Sequence, residues 1–278
     1  MKAATAGYVR ATSLSHAVTL LAASKGQARL LAGGQSLVAA MNLRLAGETA
    51  LIDINGLSEL GGITADGAVL RIGALTRHRE LATSPLVASL APAIAQAAPL
   101  IAHAAIRTRG TIGGSLAYAD PAAELPACML ALGATIVVAG PQGLRRVAAE
   151  DFFVDLFTTA LAEDEMITAV EVPFAEPGER QATLELARRS GDYALAGIVL
   201  ARKADGPRIA FFGVGPTARL ARSAMAVLAS GGDGEAAAAV LDRDLDPPDD
   251  VHAPAAVRLH LARVLLRRAL AATQTGDA

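Results

Sequence analysis

Two short glycine turns constrain this chain more than any other feature: Ala32-Gly33-Gly34-Gln35-Ser36 and Thr111-Ile112-Gly113-Gly114-Ser115. Each lies where a short apolar run gives way to a hydroxyl and then to helix-like sequence. Consecutive glycines let the main chain approach a ligand closely, because no Cβ intervenes and positive φ costs little. Peptide N–H groups at such a turn, beside a helix start, are oriented donors for phosphate oxygens. A single Gly-Gly turn is most often only a tight turn. Two matched turns, with Ser36 and Ser115 as added hydroxyl donors, predict a grip on a diphosphate from both sides.

The flanking sequence places these turns on elements. Ser13 or Ser15 is suited to cap a helix over 13–24. Arg29 to Ala32 reads as a brief strand entering the first turn, 37–45 as a helix with Leu37, Met41 and Leu45 on one face, and Ala50 to Ile54 as a second strand. Residues 63–64 and 68–73, joined through Asp66-Gly67, predict a hairpin. Helical segments follow at 76–83 and 86–104, the latter broken by prolines, before the second turn. A helix near 122–132, a strand at 134–139 and a strand at 168–172 that stops at Pro173 complete this half. The polar, turn-rich stretch 175–180 marks a domain boundary. Beyond it, 184–188, 196–203 and 208–214 predict three antiparallel strands, followed by helices at 219–229, 234–241 and 253–272.

Composition removes several classes. With a formal net charge of −2 over 278 residues, the chain lacks the basic face of a nucleic-acid binder. It has no Trp, three Tyr and six Phe, so base stacking on an aromatic platform is not expected. Cys128 is the only cysteine, which excludes a disulfide framework within the chain and an iron–sulfur cluster ligated wholly by it. In Ala-Cys-Met-Leu-Ala it reads as a small buried apolar residue. Lys2 and Arg10 are followed by no clean apolar stretch and cleavage site, so no signal peptide is read, and a cytoplasmic location is expected. The apolar stretch from Leu86 to Ile106 is interrupted by Pro92, Gln96, Pro99 and His103, which predicts short buried helices and no membrane span.

Other chemistry is thinly represented. His16, His78, His103, His252 and His260 are scattered without metal-ligand spacing, and no Gly-x-Ser-x-Gly elbow occurs. Glu163-Asp164-Glu165 reads as a solvated acidic loop, and Arg263 and Arg267 as a charged outer helix face. Gly213-Val214-Gly215-Pro216-Thr217-Ala218 formally matches a dinucleotide fingerprint after a strand. This leaves a stand-alone nicotinamide-dependent dehydrogenase as an alternative, although Pro216 removes one N–H and too little chain follows for a parallel sheet. A third reading is a binding module whose glycine turns are only structural.

The stretch Ile106-Arg107-Thr108-Arg109-Gly110-Thr111-Ile112-Gly113-Gly114-Ser115-Leu116-Ala117-Tyr118-Ala119-Asp120-Pro121-Ala122-Ala123-Glu124 is far more specific than a glycine turn. With Leu31-Ala32-Gly33-Gly34-Gln35-Ser36 it closely resembles the FAD-binding medium subunit of the xanthine dehydrogenase and carbon monoxide dehydrogenase (molybdenum hydroxylase) family. Asp151-Phe152-Phe153, Thr158-Thr159-Ala160-Leu161 and Ala187 to Ala194 match further landmarks, and Gly213 to Thr217 matches the family's C-terminal domain. The resemblance implies an α+β fold: a two-subdomain FAD-binding domain of PCMH type over 1–175 (about 1–57 and 58–175), then a small C-terminal domain over 176–278 with a three-stranded antiparallel sheet and a helical bundle.

It also implies a cofactor and partners. FAD would be held by Leu31, Ala32, Gly33, Gly34, Gln35 and Ser36 and by Thr111, Ile112, Gly113, Gly114 and Ser115. Ile101, Glu124 and Ile167 would fall at cofactor-lining positions, Tyr193 near the flavin ring, and Asp120 in the loop bordering it. Gln35 stands where His is frequent in the family and Ser115 where Asn is frequent; both still donate hydrogen bonds. No residue of this chain would be catalytic or bind metal. Electrons would pass from the [2Fe–2S] clusters of a small partner subunit through FAD to an external acceptor. Substrate oxidation would occur on a large molybdenum-cofactor subunit, in an expected dimer of heterotrimers.

Overall fold

A computed structural model describes residues 7–47 and 49–274. Lys2 and the outermost residues of the expected domain bounds lie outside the described residues. The chain begins with β1 (Tyr8–Arg10), α1 (Leu14–Ser24), β2 (Ala28–Leu31), α2 (Leu37–Asn42) and β3 (Ala50–Asp53). These strands form a parallel sheet in the order β1-β3-β2, with Leu31 paired to Asp53. Ser13 caps α1 by accepting the His16 N–H, and Ala17, Val18 and Leu21 bury its inner face.

Next come β4 (Ile63–Asp66), β5 (Val69–Gly73), α3 (His78–Thr83), α4 (Pro85–Leu90), α5 (Pro92–Ala97), α6 (Ala104–Arg107), α7 (Ile112–Tyr118) and α8 (Glu124–Leu132). Then follow β6 (Thr135–Gly140), β7 (Gly143–Ala148), α9 (Ala149–Phe152), β8 (Phe153–Asp155), β9 (Thr158–Thr159) and β10 (Met166–Pro173). The larger sheet is antiparallel in the order β4-β5-β10-β6-β7, and β8 and β9 form a small hairpin. The segment at 86–104 is broken by proline as expected: α4 starts at Pro85 and α5 at Pro92, first-turn positions where a missing N–H costs nothing. The strands β1 and β7 were not expected: one is three residues long, and the other is mostly exposed, so neither presents an apolar pattern.

The C-terminal part contains β11 (Arg180–Ala187), β12 (Ala194–Lys203), β13 (Gly206–Phe212), β14 (Arg219–Leu220), α10 (Arg222–Ala229), α11 (Gly234–Ala239) and α12 (Ala255–Ala272). Its sheet holds the three expected strands and adds β14 as a two-residue edge paired to Ala210 and Phe211, so the expected helix from 219 starts at Arg222. Every residue of α8 is buried, Cys128 completely, because this helix lies between the five-stranded sheet and the C-terminal sheet. Burying each of its leucines contributes about 1.5–3 kcal/mol. Two of the acidic and basic surface readings change. Glu165 pairs with Arg145 at 2.6 Å, and Arg267 pairs with Glu235 on α11, so both tie elements together.

Candidate functional site

The first glycine turn follows β2 and ends at Ser36, the N-cap of α2. Among the described residues, the peptide N–H groups of Gly33, Gly34, Gln35 and Ser36 donate to no protein acceptor. Within the turn, only the Gln35 side chain closes a bond, donating to the Gly33 carbonyl at 3.0 Å. Four consecutive unpaired donors are uncommon in folded chains, where an unmet buried group costs about 1–3 kcal/mol. Water or an anion must serve them. Gly34 has φ +74, a conformation that L side chains rarely adopt.

The second turn is brought directly against the first. A Cβ on Gly33 would overlap the Arg109 carbonyl oxygen and come within 2.9 Å of the Gly110 α-carbon. Only a glycine lets these two backbones touch. The turns are nevertheless unlike each other. In the second, Ile112 N–H donates to Thr76 O at 3.1 Å, Gly113 N–H to Ala74 O at 2.9 Å, Gly114 N–H to the Thr111 hydroxyl at 3.1 Å and Ser115 N–H to Thr111 O at 3.0 Å. Thr111, not Ser115, is the N-cap of α7, so Ser36 and Ser115 do not occupy equivalent places. Gly113 serves packing: its Cβ would sit 2.6 Å from that of Ala74. The expected matched grip is an open turn braced by a closed one.

The remaining expected residues fall into two groups. Ile101 and Ile167 are buried, 8% and 5% exposed, in the same apolar core as Ile112. The carbonyl of Thr168, next to Ile167, accepts the Ala74 N–H, and Ala74 in turn receives Gly113. Asp120 and Glu124 follow the end of α7, where Ala119 turns left-handed at φ 49. Burial raises the Asp120 carboxyl and pushes Glu124 up to about 8, with Glu185 and Asp120 adding to the effect. Glu185, reaching in from β11, is pushed up to about 7 by burial, and its Oε2 has no partner among the described residues. Tyr193 is 75% exposed on the loop before β12. Partial burial and then the Asp120, Tyr118 and Glu124 charges raise its phenol, so these side chains share one neighbourhood. A Cβ on Gly191 would meet the His103 ring at 2.6 Å, which places the Tyr193 loop against the segment carrying Ile101.

Sequence reasoning passed over two residues here. The Asn55 amide donates to the carbonyls of Leu31 (3.0 Å) and Ala32 (2.9 Å) and to Asp53 Oδ1 (2.8 Å). Arg77 donates to Asn55 Oδ1 at 2.8 Å and to the Arg109 carbonyl. An asparagine two residues past a strand aspartate is an Asx-turn signal that could have flagged the first of these. His78 lies under Gly110, with both ring nitrogens lacking partners among the described residues, and burial lowers its pKa to about 4, so it is neutral.

The alternative fingerprint at 213–218 does not form a dinucleotide turn. It follows β13 of an antiparallel sheet, and the Gly213 N–H is already taken by the Pro121 carbonyl at 2.8 Å. Thr217 and Ala218 instead line a cavity of about 340 Å³ with Glu150, Arg219 and Arg222, to which neither glycine turn contributes a residue.

Comparison with known proteins agrees with this geometry. Residues 3–175 match the family described as the FAD binding domain in molybdopterin dehydrogenase, and residues 182–273 match the CO dehydrogenase flavoprotein C-terminal domain. The chain is 40% identical to 6-hydroxypseudooxynicotine dehydrogenase complex subunit alpha of Paenarthrobacter nicotinovorans, covering 98% of this chain and 95% of the relative. It is 37% identical to the carbon monoxide dehydrogenase medium chain of Hydrogenophaga pseudoflava, covering 93% of each. Among solved structures, carbon monoxide dehydrogenase from H. pseudoflava superposes with a TM-score of 0.95 at 38% identity over 98% of both chains. Quinoline 2-oxidoreductase from Pseudomonas putida 86 does so at 0.91 and 35% over 99% of both. With an open nest of donors beside a second glycine turn, and homology over both domains, the chain belongs to the FAD-binding medium subunits of the molybdenum hydroxylase family of oxidoreductases.

Proposed function

We propose that this chain is the electron-transfer flavoprotein subunit of a heterotrimeric molybdenum hydroxylase. In this reading, electrons arrive from the [2Fe–2S] clusters of a small partner and leave for an external acceptor, while a large molybdenum-cofactor subunit oxidises the substrate. The complex would assemble as a dimer of heterotrimers in the cytoplasm. FAD, when bound, supplies the exchange of one or two electrons. The chain's own residues bind and orient. The observation that carries the reading is the run of four unpaired N–H donors at Gly33–Ser36, seated against Arg109 and Gly110.

The assignment divides the chain at 175/176, with the cofactor held by the first part. Residues 31–36 would donate to the diphosphate directly, and 111–115 would set the wall beside it, with Ser115 presenting its hydroxyl. Ile101 and Ile167 would exclude water from the cofactor, and Asp120, Glu124 and Tyr193 would border the ring. Burial pushes the Glu124 carboxyl up to about 8, which favours its protonated form, and in that form it would meet the cofactor as a hydrogen-bond donor without adding charge.

The test is an absorbance spectrum of the chain after incubation with FAD and desalting, alone and co-expressed with its partner subunits. Flavin bands near about 370 and 450 nm are expected to be retained. Gly33→Val, which drives a side chain into Arg109, and Gly114→Val are expected to abolish them. A colourless chain in both preparations would overturn the reading.

A further inference from the structure

We propose that Arg77 is a positioning residue that latches the two glycine turns together, fixing the open donors of residues 33–36 where a dinucleotide diphosphate would lie. The ligand in this proposal rests on the FAD reading above; the latch itself rests on contacts within the chain.

One half-buried guanidinium serves both turns. Its NH2 donates to Asn55 Oδ1 at 2.8 Å, and its NH1 donates to the Arg109 carbonyl. Asn55 passes the restraint on, because its amide holds the carbonyls of Leu31 and Ala32, the two residues that lead into Gly33. Arg109 is the residue whose carbonyl lies against Gly33. A ring of contacts therefore runs from Arg77 through Asn55 to residues 31–33, across the glycine contact to Arg109, and back to Arg77. Its members come from four separate segments.

Arg77 is itself anchored. It is the N-cap of α3, its N–H donates to Glu80 Oε2 at 2.8 Å, and it bridges to Thr111 at the start of the second turn. The open turn, by contrast, is held by little of its own, since the Gln35 to Gly33 bond is its one internal side-chain link. Its shape is imposed from outside, through Asn55 and the Arg109–Gly110 backbone. A lysine cannot replace this arrangement, because a point ammonium cannot reach two acceptors in the fixed fork of a guanidinium. The same cation adds positive charge beside the unpaired donors, which suits an anionic ligand.

The experiment uses the full-length chain with Arg77→Met, Arg77→Lys, Asn55→Ala and the Arg77→Met/Asn55→Ala double variant. Amide hydrogen exchange is measured without ligand, and FAD affinity is measured by fluorescence titration. Arg77→Met is expected to speed exchange at residues 31–37 and 109–111 together while sparing the C-terminal sheet. It is expected to raise the FAD dissociation constant about 10- to 100-fold, the loss of a charged hydrogen-bond pair. Asn55→Ala is expected to cost less in the Arg77→Met background than in the parent, because the Arg77–Asn55 bond is already gone and only the Asn55 bonds to Leu31 and Ala32 remain to be lost. Arg77→Lys, which keeps charge and bulk, is expected to fall between and serves if the methionine variant does not fold.

Parental exchange and parental FAD affinity in Arg77→Met, or fully additive effects of the two substitutions, would overturn the latch while leaving the FAD reading intact. Conversely, exchange that depends on Arg77 in a chain that takes up no FAD, even with its partners, would support the latch and remove its ligand.

Discussion

Burial sets the protonation of individual side chains, and this gives the chain a distinctive pH response. Glu124 keeps its proton to about 8 and Glu185 to about 7, against 4.5 for a free glutamate. Between those values the folded state binds more protons than the unfolded one. Stability is therefore full below about pH 4.5 for these groups, falls as pH rises, and levels off once the folded carboxyls also ionise. Each group contributes a slope of at most about 1.4 kcal/mol per pH unit. Glu124→Gln, which keeps the shape and loses the titration, is expected to flatten the fall between about pH 5 and 8. Melting midpoints of the ligand-free chain across that window check it; an unchanged slope would mean that Glu124 is ionised in the folded chain. His78 acts in the opposite sense: neutral down to about 4 where a free histidine titrates at 6.5, it withdraws stability as pH falls through that range.

At the scale of elements, the second glycine turn is a packing device. α7 begins at Ile112 and is pressed against the chain after β5, with Gly113 N–H on Ala74 O and no room for a methyl group. Gly113→Ala would force Ala74 and α7 apart, at a cost of about 1–3 kcal/mol for overpacking. Denaturant unfolding of the ligand-free chain is expected to show that loss, and FAD affinity is expected to fall as well, since Ser115 and residues 109–110 move with the helix. A stable variant with unchanged midpoint would show that the segment yields freely. The helices flanking this region are short, six residues for α5 and four for α6, because prolines and the glycine turn punctuate them. Their stability comes from tertiary packing, as short helices supply little of their own.

Across the whole molecule, the two halves share one core. Val199, Ala201, Ala210 and Phe212 of the C-terminal sheet belong to the same apolar cluster as Leu125, Met129, Ile136 and Val170. Polar ties reinforce it: Gln181 accepts the Ala93 N–H at 2.9 Å, Thr183 donates to Ala93 O at 2.9 Å, and Arg208 donates to Leu130 O at 2.9 Å. Arg258, only 5% exposed, holds the carbonyls of Leu195 and Gly213 and pairs with Asp250 at 2.7 Å. This fixes both ends of β12 and β13 nearest the Tyr193 loop. A lesion in the C-terminal sheet is thus expected to destabilise the FAD-binding half. Gly197 offers the test, because a side chain there would enter the Phe212 ring. Gly197→Val is expected to lower the melting midpoint of the whole chain in a single transition. Two separated transitions, with only one displaced, would show that the halves unfold independently.

Much of this was legible in residues alone, because local chemistry decided it. Gly34 needs positive φ, Ser13 caps α1, Pro85 and Pro92 start helices, and unbroken apolar runs make β12 and β13, all through interactions within a few positions. The glycine turns pointed to a diphosphate by the same means, and the stretch from Ile106 to Glu124 pointed to FAD through its resemblance to a known family. What tertiary structure alone decided depends on residues far apart in the chain. Gly33 touches Arg109 across 76 positions, Arg77 joins Asn55 to the second turn, and Glu185 comes from another domain to face Glu124. No local pattern encodes such contacts. Periodicity reports which face of an element is buried, whereas the partner it meets is set only when the sheets and helices pack. That packing makes one glycine turn an open nest of donors and the other a closed brace.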